Sequence, residues 1–205
     1  PSRVFGGAAK SINDPKGCSL DGFACFHVNN RSRSMPALPE SWRISETQPE
    51  DLEELADFYE HTSGGLMLEA IDLKPEKMDC SDLSNEYRQL GLTRVRHLYS
   101  LKKNGQLKAV LLANLSDIGL NLSDITNCVN VFVTNKAEFS ADIIQAAITK
   151  LADITGKEDF PTLLYPATFA DEQKIPYEKI YNLWTLNLQY SDPYFKYLGR
   201  LLRFI

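Results

Sequence analysis

Residues 93–116, TRVRHLYSLKKNGQLKAVLLANLS, decide the fold. Asn104-Gly105 divides two apolar-rich runs, and Asn-Gly is the favoured two-residue hairpin turn because both of its positions tolerate positive φ. A tight turn sets the register by itself. With Lys103 facing Gln106, Leu101 is expected opposite Lys108, Tyr99 opposite Val110, His97 opposite Leu112 and Val95 opposite Asn114. Strand alternation then places Tyr99, His97 and Asn114 on one face, and Arg94, Arg96, Leu98, Leu111 and Ala113 on the other. On that register Arg96 and Asn114 face apart.

Downstream, residues 128–134 (CVNVFVT) form a β-branched strand, and Ser140 caps a helix with an apolar stripe of Ile143, Ala147, Ile148, Leu151 and Ile154 that stops at Gly156. Residues 162–165 read as the next strand, 166–174 as irregular or helical, 177–182 as a short helix and 183–190 as a returning strand. The tail from 194 to 205 has Tyr197, Leu198, Leu201 and Leu202 at helical spacing, suited to covering a sheet edge. Upstream, residues 42–45 suggest a strand. Thr47-Gln48-Pro49-Glu50 is a capping box opening a helix whose Leu52, Leu55, Ala56 and Tyr59 share one face before Gly64-Gly65. Shorter helical pieces fit residues 66–73 and 82–90.

Residues 1–40 differ in texture, with Gly, Pro and Asn-Asp breaks every few positions and one extended apolar segment at 22–28. Too little apolar surface is present for this stretch to fold alone. It is expected either to pack on the main body, residues 41–205, or to be the tail of an upstream lobe. The first residue is Pro, which suits a piece of a longer protein.

Composition narrows the function. The 205 residues are 43% apolar and 24% charged, the allotment of a globular chain, and the net charge of −5 disfavours a sequence-independent grip on nucleic acid or an anionic membrane. No apolar run reaches the length of a membrane span. The cysteines at 18, 25, 80 and 128 have no metal-ligand spacing and read as free buried thiols in a reducing, cytoplasmic compartment, with a disulfide between Cys18 and Cys25 as the alternative. No P-loop, nucleophile elbow or metal motif occurs, so no metal is assigned. Oligomeric state stays open.

The order strand, helix, helix, antiparallel hairpin, strand, helix, strand, helix, strand over residues 42–190 resembles the GNAT superfamily of N-acetyltransferases. Residues 113–127 (ANLSDIGLNLSDITN) are also similar to the loop after the third strand in bacterial GNAT-like proteins of unassigned activity, some found beside a PilZ-type module. The resemblance implies a mixed α/β fold with a mostly antiparallel sheet, and acyl or aminoacyl transfer to an amine. It also implies that backbone N–H groups of Asn130–Phe132 meet the acyl carbonyl, that Val131, Phe132 and Val133 bind the cofactor, and that Tyr177 or Tyr181 serves the leaving group. Family members that use acetyl-CoA cradle its pyrophosphate on a glycine-rich loop at the start of a helix. The equivalent stretch here, residues 134–140 (TNKAEFS), has no glycine. Lys136 and the free N–H groups after Ser140 are what remain for an anion, so the cofactor is left as unknown, with acyl-CoA or an acyl carrier as candidates.

Other residues qualify on chemistry. His97 is a candidate base, and Arg94 and Arg96, beside Arg88, form a basic cluster suited to a carboxylate or phosphate. Each also has a plain structural explanation as a strand residue. Asn114-x-Ser116-x-x-Gly119 satisfies half of the PilZ signature for cyclic-di-GMP, but Arg94-Val95-Arg96 has the wrong spacing for the other half. Two readings follow: a GNAT-like acyltransferase with an unusual donor, or a non-catalytic ligand-binding or interaction domain of a bacterial signalling protein.

Overall fold

The computed structural model describes residues 14–29, 37–78, 81–117, 127–134, 138–156, 159–190 and 192–201. Its strands are β1 (Cys18–Asn29), β2 (Trp42–Glu46), β3 (Arg94–Lys103), β4 (Gln106–Ser116), β5 (Val129–Val133), β6 (Asp159–Tyr165) and β7 (Lys179–Leu186). The helices are α1 (Pro49–Ser63), α2 (Leu66–Ala70), α3 (Ser81–Gln89), α4 (Ala141–Thr155), α5 (Ala167–Glu172) and α6 (Asp192–Leu201), with a 3₁₀ turn at Pro75–Lys77. The seven strands form one sheet in the order β2-β3-β4-β5-β6-β1-β7. Only β5 and β6 pair in parallel; every other pairing is antiparallel. The fold class is therefore mixed α/β with a mostly antiparallel sheet flanked by helices.

Helices cover both faces. One face carries α1 and α2, whose Leu52, Leu55, Tyr59, Met67 and Leu68 pack on Phe23, Val110, Leu112, Phe132 and Tyr165. The other carries α4 and α5, with Ile144, Ile148, Leu151 and Phe169 on Phe26, Leu111, Val131 and Leu164. There α6 adds a satellite of Tyr194 and Leu198 against Cys18. Local signals explain the helix ends. Ser140 accepts a hydrogen bond from the Ile143 N–H (3.4 Å) and Gly156 closes α4 with φ 67°, while Gly64 closes α1 with φ 81°. Gly64 is also held by space, since a Cβ there would lie 2.4 Å from Pro15 Cβ.

The capping box of α1 is shifted by one residue from its expected place. Gln48 is the N-cap and Asp51 Oδ2 accepts from its N–H at 3.1 Å, so Asp51 takes the part assigned to Glu50. The segment at 22–28 lies within β1, which sits inside the sheet between β6 and β7. The expected helix at 177–182 is instead a loop followed by β7. Antiparallel pairing with β1, from Cys18↔Leu186 to Cys25↔Lys179, overrides the local pattern of Tyr177–Asn182.

The hairpin needs a second correction. Lys103↔Gln106 and Lys102↔Leu107 hold as expected, but a bulge between Leu101 and Lys102 moves the ladder by one residue, giving Leu101↔Ala109, Leu98↔Leu112 and Arg96↔Asn114. One inserted residue exchanges the faces of everything beyond it. Arg94, Arg96, Asn114 and Ser116 consequently share the face of α1 and α2, whereas His97 and Tyr99 lie on the other. The expectation that Arg96 and Asn114 face apart is overturned. Cys18, Cys25 and Cys128 are buried thiols outside any disulfide. Seven residues apart on one strand, Cys18 and Cys25 stand roughly 23 Å from each other and cannot form a disulfide.

Candidate functional site

In a sheet with one parallel pair, ligands favour the carboxyl ends of those strands. Here the ladder runs Val129↔Thr162, Asn130↔Leu163, Val131↔Leu164, Phe132↔Tyr165, reaching the last residue of β6. The other edge of β5 pairs with β4 from Ala113↔Val129 to Ala109↔Val133. Val131, Phe132 and Val133 thus lie in a strand paired on both sides. The end of the strand is sealed as well: Tyr59 of α1 donates its hydroxyl to the Val133 carbonyl at 2.6 Å, and its ring lies 5.2 Å from that of Tyr165. Phe132 is fully buried, and its ring centroid is 6.2 Å from both Phe23 and Tyr165.

Tyr165 leads from this sealed end to a polar one. Its hydroxyl donates to Asp21 Oδ1 at 2.5 Å, and the Ser19 hydroxyl donates to Asp21 Oδ2 at 2.7 Å. Asp21 is only 5% exposed. Burial raises the Tyr165 phenol well above its ordinary range, and the neighbouring Asp21 carboxylate pushes in the same direction. Burial likewise raises Tyr59, with Tyr165 and Asp21 adding to it. Both phenols stay protonated and donating. Beside Asp21 a cavity of about 330 Å³ opens between the start of β1 and the C-terminal turn of α1, lined by Asp14, Ser19, Glu60, His61 and Ser63 among others. A second cavity of about 390 Å³ shares Glu60 and Gly64 with it and runs toward Leu68, Leu73 and Tyr190.

The residues singled out in the sequence are dispersed. Arg94 donates to the Tyr87 hydroxyl at 2.9 Å and lies 5.1 Å from that ring's centre, while Arg96 donates to the Ile71 carbonyl at 3.0 Å. Both guanidinium groups tie helical segments to β3. Asn114 and Ser116 stand opposite them on β4, half-buried. His97 is exposed on the other face, 6.4 Å from the Tyr99 ring. Tyr177 donates to Asp171 Oδ1 at 2.9 Å from the loop before β7. Tyr181, on β7, faces α2's side of the sheet beneath the Lys179 ammonium, 5.1 Å from its ring centre. Five strand spacings separate β3 from β7, roughly 24 Å. Arg94 and Arg96 therefore do not meet Tyr181. Ser140 caps α4 and is half-buried. Lys136 and Gly119 lie outside the described residues.

The cluster of Ser19, Asp21, Tyr59 and Tyr165 went unnoticed in the sequence. One signal was present: Asp21 is a carboxylate set into the otherwise apolar run Leu20 to Phe26. Tyr59 and Tyr165 read only as core positions.

No family model and no curated protein matches this chain. Among solved structures, a Drosophila protein shares 11% identity at TM-score 0.40, over 88% of this chain and 58% of its own. A conserved Staphylococcus epidermidis protein of unknown function shares 12% at TM-score 0.39, over 87% and 65%. A structure described as a probable acetyltransferase shares 13% at TM-score 0.34, over 76% of this chain and 99% of its own. The chain spans roughly three-fifths of the length of the first two. Among the described residues no helix is long and apolar enough to cross a membrane.

Proposed function

We propose that this chain is a GNAT-like domain working as a ligand-binding module, with no acyl-CoA seated between its parallel strands. One observation carries the reading: the β5–β6 ladder runs to Phe132↔Tyr165, and the Tyr59 hydroxyl occupies the Val133 carbonyl just beyond it. A pantetheine arm threading that gap needs free backbone groups and room. Both are taken by side chains. The buried thiols of Cys18, Cys25 and Cys128 suit a cytoplasmic setting.

Calorimetric titration with CoA, acetyl-CoA, a long-chain acyl-CoA and cyclic-di-GMP tests this. No saturable heat is expected from any CoA species at ligand concentrations of about 100 μM, where a micromolar site would be nearly full. Saturable acetyl-CoA binding overturns the reading. Cyclic-di-GMP belongs in the series because of the Asn114-x-Ser116 half-signature, although Arg94 and Arg96 already bind Tyr87 and Ile71.

A second reading, acyl or aminoacyl transfer to an amine from a carrier-borne donor, is favoured by the Tyr165–Asp21 hydrogen bond at the carboxyl end of the parallel pair. There Asp21 would take the amine proton and Tyr165 would supply one to the leaving group. Acylation of an amine by an acyl carrier, lost in Asp21→Asn, supports it. Unchanged turnover in that variant removes it.

A further inference from the structure

We propose that the cavity beside Asp21 binds a small organic cation bearing an ammonium or guanidinium group. The inference rests on the ligand-binding reading and names the chemistry of its ligand. Asp21 is a carboxylate 5% exposed that lines a cavity of about 330 Å³, and its only hydrogen-bond donors among the described residues are the hydroxyls of Ser19 and Tyr165. Among the described residues no lysine or arginine bridges it or lines the cavity. A carboxylate offers about four acceptor positions, so two are unused. A buried charge without a counter-charge is costly unless something supplies one.

A second observation lies one strand away. Thr185 pairs with Ser19 across β1 and β7 and points to the same face, and its Oγ1 is buried with no hydrogen-bond partner. Thr185 stands opposite Ser19, which donates to Asp21, and does not itself line the cavity, so its hydroxyl marks incomplete polar pairing next to the site rather than a ligand contact. Asp14 and Glu60 add acceptors at the cavity wall, and His61 is engaged by Asp57, whose carbonyl lies 2.8 Å from Nδ1. Among the described residues no three His, Cys, Asp or Glu side chains are grouped to chelate a metal ion, which favours a cation carried on an organic group. The space of about 330 Å³ admits a compact organic amine.

Calorimetry and thermal shift with agmatine, n-butylammonium and the neutral n-pentanol test the assignment. Saturable binding of at least one cation is expected, with none of the alcohol. Asp21→Asn is expected to weaken the cation about tenfold or more. Should Asp21→Asn fail to fold, Glu60→Gln at an exposed position is expected to weaken binding about threefold without changing the melting temperature of the free protein. Equal binding of the alcohol, equal affinity in these variants, or no saturation by either cation at about 10 mM overturns the proposal. The two failures are separable: acetyl-CoA binding removes the module reading whatever the cations do, while absent cation binding without CoA binding removes this inference alone.

Discussion

Two carboxylates lie near opposite ends of α1 on the same side of the sheet, each 5% exposed, and they are treated in opposite ways. Asp51, at the first turn of the helix, meets Lys102 Nζ at 2.7 Å, the Ser100 hydroxyl at 2.7 Å and the Gln48 N–H at 3.1 Å. Asp21, beneath the last turn, has two hydroxyls and a cavity. The contrast teaches how to separate structure from site by charge balance. Where cation, hydroxyl and amide converge on a buried carboxylate, the group holds the fold together. Where donors are neutral and space adjoins, the group is available to a ligand.

The comparison can be broken at several points. Phe132→Ala strikes the aromatic wall beside Asp21 and is expected to cost about 3–5 kcal/mol in denaturant unfolding, because the fully buried ring leaves a cavity between Phe23 and Tyr165. A cost under about 1 kcal/mol would mean that the sealed end is loose. Asp51→Ala is expected to cost about 2–3 kcal/mol by stranding Lys102 and Ser100.

Its pH dependence sharpens the point. Burial alone would raise the Asp51 carboxyl, but the hydrogen bonds from Lys102, Ser100 and Gln48 outweigh burial and hold it below the ordinary value. A carboxyl lowered in the folded state contributes its stability above the unfolded value, near pH 4, and loses it as the pH falls through the lowered folded value. The stability gap between wild type and Asp51→Asn should therefore be full at pH 6 to 7 and shrink below about pH 4. A gap that widens on acidification would contradict the assignment.

Smaller effects come next. Tyr59→Phe is expected to cost about 1–2 kcal/mol, since the Val133 carbonyl loses its 2.6 Å donor in a dry setting. Asp21→Asn, measured without ligand, should shift stability by less than about 1 kcal/mol, because removing an uncompensated buried charge offsets the altered hydrogen bonds. A loss as large as that of Asp51→Ala would erase the distinction between the two carboxylates. In the same variant the Tyr165 phenol should titrate lower than in wild type, as one of the groups raising it is gone; an unchanged spectrophotometric titration would contradict the contact.

Much of the architecture was legible in local chemistry. The Asn104-Gly105 turn, Ser140 with its stripe, and Gly64 and Gly156 each act within a few residues, and each element formed where its own sequence directs it. The bulge at Leu101/Lys102 was not legible, and it reversed the faces of Arg96 and Asn114. Nor was β7, where Tyr177–Asn182 carries a helical spacing that pairing with β1 overrides. The candidate site was almost invisible for the same reason. Asp21 and Tyr165 are 144 residues apart, and only the insertion of β1 next to β6 brings them together. Residues chosen for chemical type alone, such as Arg94 and His97, gave no site because nothing in their spacing encodes that contact.

Amide hydrogen exchange of Val131, Phe132 and Val133 tests the closed strand end most directly. If side chains and both flanking strands seal it, these amides exchange as slowly as Leu111 and Leu112 in β4, at the level of global unfolding. Exchange faster than β4 by about a hundredfold or more would mean that β5 and β6 open there in the folded protein, and that the strand end is accessible to a ligand.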